Sequence, residues 1–154
     1  MTVDARILLV EDDPQDVELT LRAFRSENVR SRIEVVRDGE EALDYLFCRG
    51  DYKTRAAEQP PTLVLLDLKL PKIGGLQVLR ELKASVQCRS IPVIMLTSSG
   101  EQRDVAESYT LGVNSYIQKP VDILEFRKAI RTLALYWLGV NRSPFSPVRR
   151  VSHE

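Results

Sequence analysis

The feature that most constrains this chain is a fivefold alternation of a short apolar run and an amphipathic stretch. The runs are Ile7-Leu8-Leu9-Val10, Ile33-Glu34-Val35-Val36, Leu63-Val64-Leu65-Leu66, Pro92-Val93-Ile94-Met95-Leu96 and Ser115-Tyr116-Ile117-Gln118. The third is apolar without alternation, as in a central strand covered on both faces. Between the runs lie helix signals. Asp13-Pro14 reads as an N-cap followed by proline at the first helical position, with Val17, Leu21 and Phe24 on one face. Asp38 with Glu41 and Ser99 with Gln102 fit capping boxes, and Asp122 with Glu125 caps a last helix carrying Phe126, Ile130, Leu133 and Trp137. Leu76, Leu79 and Leu82 give the third helix its inward face, while Gly50 and Gly112 fit helix stops. The polar insertion 51–61 reads as a surface loop. Strand and helix repeated five times predict an α/β fold, a doubly wound parallel sheet of five strands.

With 154 residues there is room for one domain, expected over 5–140, followed by an extended tail, 141–154, too short to fold into another. Lys plus Arg and Asp plus Glu are both 22, so no bulk charge favours nucleic acid or an anionic membrane. The start of the chain is polar, and no apolar stretch approaches the roughly 18 residues needed to span a bilayer. Cys48 and Cys88 match no metal spacing and read as incidental helix residues with reduced thiols, which places the chain in the cytoplasm. The single histidine, His153, sits in the polar tail with Arg142, Arg149 and Arg150, so no positioned core histidine is available.

In a doubly wound sheet, ligands bind beyond the carboxyl ends of the strands. Glu11, Asp12, Asp67, Thr97 and Lys119 each follow the last apolar residue of a run, so all converge on that edge. Three close carboxylates repel one another. A hard divalent cation with oxygen ligands, of which Mg²⁺ is the natural choice, relieves that repulsion. Asp67 is then a nucleophile able to form an acyl phosphate, with Lys119 a point charge and Thr97 a hydroxyl donor. Asp13 is explained as a cap and stands outside the site.

These motifs resemble the response-regulator receiver domain of two-component signalling. Leu8-Leu9-Val10-Glu11-Asp12-Asp13 is similar to its acidic opening, and Asp67-Leu68-Lys69-Leu70-Pro71 with Gly75 to its phosphoacceptor loop. Leu96-Thr97-Ser98 is similar to its hydroxyl switch, and Tyr116-Ile117-Gln118-Lys119-Pro120 to its aromatic–lysine–proline stretch. The resemblance implies a flavodoxin-like sheet in the order 2-1-3-4-5, the order that a chemotaxis receiver illustrates among general fold rules. It also implies Asp67 as phosphoacceptor and Mg²⁺ held by Asp12, Asp67, the Lys69 backbone carbonyl and, through water, Glu11. Thr97 and Tyr116 become the switch pair, and a cis Lys119–Pro120 bond is expected. The partner is a sensor histidine kinase. The Phe47-Cys48-Arg49-Gly50-Asp51-Tyr52 insertion and the Trp-bearing last helix resemble regulators paired with phytochrome-type kinases.

The function expected is a stand-alone phosphorylation switch, not a turnover enzyme, that transfers the phosphoryl group to itself and loses it slowly. The rival is a Mg²⁺-dependent aspartyl-phosphate hydrolase, which typically carries a second aspartate two residues after the nucleophile; Lys69 stands there. A flavin or nucleotide carrier wants a phosphate cradle after the first strand, which Glu11-Asp12-Asp13 would repel. Leu135, Tyr136 and Leu138 give the last helix a second apolar stripe, which predicts a homodimer through Leu135 or Tyr136, with the tail reaching across.

Overall fold

The computed structural model describes residues 5–26, 31–57 and 60–145. Among them, five strands alternate with five helices: β1 (Ala5–Val10), α1 (Pro14–Arg25), β2 (Ser31–Val36), α2 (Gly39–Leu46), β3 (Leu63–Leu66), α3 (Gly75–Ala84), β4 (Val93–Thr97), α4 (Gln102–Thr110), β5 (Ser115–Gln118) and α5 (Ile123–Ala134). All strand pairs are parallel, in the order β2-β1-β3-β4-β5. Alternate residues of each strand feed opposite layers. Leu8, Val10, Val64, Leu66, Val93 and Met95 join the core under α2 and α3, while Ile7, Leu9, Leu63, Leu65, Ile94 and Leu96 join the core under α1 and α5. Burial on both faces is what the unbroken apolar run of β3 requires.

The caps form as their residues dictate. Asp13 Oδ1 accepts the Gln15 N–H at 2.9 Å, with Pro14 at the first helical position. Asp38 Oδ1 accepts the Glu41 N–H at 2.8 Å, and Asp122 Oδ1 accepts those of Leu124 and Glu125. Gly112, with φ of +100°, follows α4 as a left-handed stop.

Five expectations are corrected. Lys119–Pro120 is trans, the isomer an X–Pro bond prefers by about 0.5–1 kcal/mol when nothing selects the other. Ser99 does not cap α4; the helix begins after Glu101, and the Ser99 hydroxyl donates to Asp104 Oδ2 at 2.5 Å instead. The insertion is not wholly loop, since Gly50–Ala57 forms a 3-10 segment that returns Arg55 to the core. There its guanidinium stacks on the Tyr45 ring and donates to the Tyr45 carbonyl. Neither cysteine is helical: Cys48 takes a left-handed φ of +53° after α2, and Cys88 lies in the turn after α3. Finally, α5 widens into π-helical turns over Leu135–Val140, and the changed period rotates Leu138 into the core at 2% exposure. Leu135 and Tyr136 stay exposed. The tail beyond residue 145, with Pro147, Arg149, Arg150 and His153, lies outside the described residues.

Candidate functional site

Sheet register builds the site. Val10 pairs with Leu66, so the next residues, Glu11 and Asp67, leave the ends of adjacent central strands side by side. Leu66 pairs with Met95, which puts Thr97 one step beyond Asp67 along the edge, and Thr97 pairs with Gln118, immediately before Lys119. Backbone bonds continue the ladder past the apolar runs: the Asp67 N–H donates to Val10 O at 3.1 Å and the Lys119 N–H to Thr97 O at 2.7 Å. The expected residues therefore arrive together because their strands are in parallel register.

One carboxylate oxygen from each of Glu11, Asp12 and Asp67 lies within 4.8 Å of the others. Glu11 is buried at 3% exposure and Asp67 nearly so, while Asp12 is exposed at the mouth. All the donors are oxygens and most carry charge, which suits a hard divalent cation and not a soft one. Asp67 is held by its own chain: the Leu68 N–H donates to Oδ1 at 2.7 Å, leaving Oδ2 on the side of Lys119.

Lys119 is the cation of the site, its side chain only 7% exposed. Its Nζ donates to Glu11 Oε1 in a short contact, to Asp16 Oδ2 at 2.8 Å and to Asp67 Oδ2 at 3.5 Å. Desolvation favours the neutral amine, but the hydrogen bonds that Nζ donates to Asp16 and Glu11 outweigh it and hold the ammonium above its ordinary range. Burial, with repulsion from Asp67, pushes the Glu11 carboxyl up to about 7, even against the pull of Lys119. More acid than base is packed here, and a divalent ion answers that imbalance.

Asp16 is the residue that sequence reasoning missed. It sits in the first turn of α1, three residues after the Asp13 cap, a place where a carboxylate is expected to serve the helix terminus. Its helical spacing, four and seven residues before the buried Thr20 and Ala23, was the signal available.

The loop after Asp67 is tightly seated. A Cβ on Gly75 would lie 2.1 Å from the Asp67 carbonyl oxygen, and one on Gly39 would lie 1.8 Å from that of Ile73. Neither helix could approach the loop this closely with a side chain at those positions. The Lys69 side chain is exposed in that loop. Thr97 is buried at 1% exposure, its Oγ1 accepting the Ser99 N–H at 3.4 Å. Tyr116 does not reach the acidic cluster. Its hydroxyl donates to the Ser99 carbonyl at 2.8 Å, and desolvation in this half-buried position pushes its pKa above the usual phenol value.

A parallel sheet in this order, with acids and a lysine at its carboxyl edge, defines a phosphoryl-handling α/β switch domain. Residues 7–131 match the response regulator receiver domain, and the chain belongs to that family. Its role is therefore that of a phosphoacceptor in two-component signalling. Among curated relatives, the probable methanogenesis regulatory protein FilR2 of Methanothrix harundinacea is 42% identical, over 90% of this chain and 86% of its own length. Response regulator Rcp1 of Synechocystis sp. is 36% identical over 86% of this chain and 88% of its own. The solved Mn²⁺-bound form of Rcp1 superposes with a TM-score of 0.85 at 34% identity, covering 91% of this chain and 99% of that one. The phosphorylated cyanobacterial phytochrome response regulator RcpA superposes with a TM-score of 0.86 at 36% identity, covering 92% and 99%. Receivers bind a divalent metal at the acidic pocket, and Rcp1 has been solved with Mn²⁺ bound.

Proposed function

We propose that residues 5–140 act as a phosphorylation switch in which Asp67 accepts a phosphoryl group from a sensor histidine kinase. The observation that carries this is the meeting of Glu11, Asp12, Asp67 and Lys119 at one strand edge. A carboxylate oxygen of Asp67 bonds to phosphorus as the P–N bond of the kinase phosphohistidine breaks, and the released imidazole takes up a proton. The Leu68 N–H fixes the carboxyl rotamer during attack. Lys119 then faces the incoming charge, and Thr97, at the buried end of β4, offers its hydroxyl to a phosphoryl oxygen. Asp12, Asp67, the Lys69 carbonyl and, through water, Glu11 would hold Mg²⁺, which supplies charge neutralisation when bound.

The output runs from Thr97 to the β4–α4 loop. Because Tyr116 is bonded to the Ser99 carbonyl, a shift of that loop is passed to the aromatic ring and to the surface between α4 and α5. The likeness to RcpA supports a phytochrome-type kinase as the donor. Balanced charge supports a cytoplasmic protein that binds neither nucleic acid nor membrane, and no helix among the described residues is long and apolar enough to cross one. The switch signals through partner binding and turns over no substrate. Leu135 and Tyr136, 53% and 49% exposed, support a homodimer through the end of α5, whose affinity responds to the phosphoryl group. Sedimentation with and without phosphorylation checks that part: a monomer in both states removes it.

Intact-mass measurement after treatment with acetyl phosphate tests the central claim. Wild type with Mg²⁺ should gain one phosphoryl adduct that Asp67→Asn lacks and that chelation prevents. An undiminished adduct in Asp67→Asn moves the phosphoacceptor elsewhere.

A further inference from the structure

Resting on the reading of Asp67 as phosphoacceptor, we infer that Asp16 is a positioning residue that competes with the phosphoryl group for the Lys119 ammonium and so shortens the life of the phosphorylated state.

An ammonium has three N–H donors and no acceptor. Lys119 directs them at three carboxylates, and the distances rank its partners: Glu11 in a short contact, Asp16 at 2.8 Å, Asp67 last at 3.5 Å. Of the three carboxylates, the phosphoacceptor thus has the weakest hold on this cation. Glu11 is buried beside Asp67 and belongs to the acidic cluster. Asp16 differs. It enters from α1, its side chain is 28% exposed, and it lies outside the group of carboxylates close enough to share an ion. It stands outside the three-carboxylate cluster, yet accepts a hydrogen bond from Lys119 at 2.8 Å.

A phosphoryl group on Asp67 brings about −2 of charge at pH 7. With all three N–H groups already directed, the ammonium can close on that charge only as far as its shorter bonds to Glu11 and Asp16 let it move. Asp16 therefore withholds part of the stabilisation that Lys119 would give to the acyl phosphate.

The test uses Asp16→Asn, which keeps size and removes charge. Its backbone carbonyl still accepts the Thr20 hydroxyl, so the first turn of α1 retains its internal bond. Phosphorylated protein is prepared with acetyl phosphate and Mg²⁺, and decay is followed by ³¹P NMR. Asp16→Asn should hold the phosphoryl group several-fold longer, Asp16→Glu should restore the shorter lifetime, and the gain should vanish when Lys119→Ala is added. Independently of phosphorylation and metal, the ¹⁵N resonance of the Lys119 side chain should shift in Asp16→Asn. An unchanged or shortened lifetime overturns the inference, as does a gain that survives Lys119→Ala or an unmoved Lys119 resonance. If wild type takes up no phosphoryl group at Asp67, the underlying reading fails first, and the mass spectrum of Asp67→Asn reveals that separately.

Discussion

On one face of the sheet, α1 buries Val17, Thr20, Ala23 and Phe24, and α5 buries Phe126, Ile130, Leu133 and Ala134. At the β4–β5 edge, α4 buries Ser108 alone, and even that hydroxyl is spent on the Asp104 carbonyl of its own helix. The first pair is fixed by apolar area, the second helix by a few polar ties: Ser99 to Asp104, and Tyr116 to Ser99. Local opening follows the number of buried apolar groups. Under the proposed switch, the contrast assigns the acids to the well-packed part of the molecule and the responding surface to the sparsely packed part.

The contrast breaks if the two regions respond alike to truncation. Ile130→Ala should cost about 2–5 kcal/mol in denaturant unfolding, the range for a fully buried aliphatic. Val105→Ala, on half-buried ground in α4, should cost about 1 kcal/mol or less. Comparable losses at both positions would make α4 as well anchored as α5.

A second probe acts on the acidic edge. The folded protein keeps a proton on Glu11 up to about 7, whereas the unfolded chain releases it near 4.5. This group's contribution to stability is therefore complete below 4.5 and declines as pH rises through 7, by on the order of 2 kcal/mol. In metal-free protein the fall should be visible in unfolding curves at pH 5 and pH 8, should be absent from Glu11→Gln, and should be offset by Mg²⁺. Amide protection in α4, taken relative to the intrinsic exchange rate at each pH, should be indifferent to all three changes. An α4 that tightens with Mg²⁺ alone would tie the two regions together before any phosphoryl group arrives.

The smallest effect sharpens the comparison from the other side. Tyr116→Phe removes one donor from the Ser99 carbonyl and should cost about 0.5–1.5 kcal/mol. That cost should appear as faster amide exchange confined to α4 and the loop before it, with α1 and α5 unchanged. Faster exchange across the sheet would show that the tie is global.

Most of the frame was legible because each strand is a short apolar run and each chemically active residue stands just past one. Parallel register then does the gathering, so Glu11, Asp12, Asp67, Thr97 and Lys119 could be foreseen as neighbours. The parts that escaped depend on side-chain direction or on a change of helical period. Asp16 looks like a terminal acid until α1 turns it toward Lys119. Ser99 has the spacing of a cap, but the backbone carries Gly100 and Glu101 before the helix begins. Leu138 belongs to the exposed stripe at 3.6 residues per turn and to the core once the turns widen. Arg55 returns to the core only because the insertion is coiled.

The seating of Gly39 and Gly75 has a consequence for how such a sequence can vary. Both positions lie against backbone carbonyl oxygens, of Asp67 and Ile73, and not against a carboxyl group or the Lys119 ammonium. In a library of all single substitutions, selection for phosphoryl acceptance would nonetheless strip these two columns to glycine, as completely as it strips the Asp67 column to aspartate. Lys69, exposed between them in the same loop, would tolerate many residues. Intolerance in such a map would trace the backbone's closest approaches as well as the chemistry, and a designer who read it as a catalogue of reactive groups would count two too many.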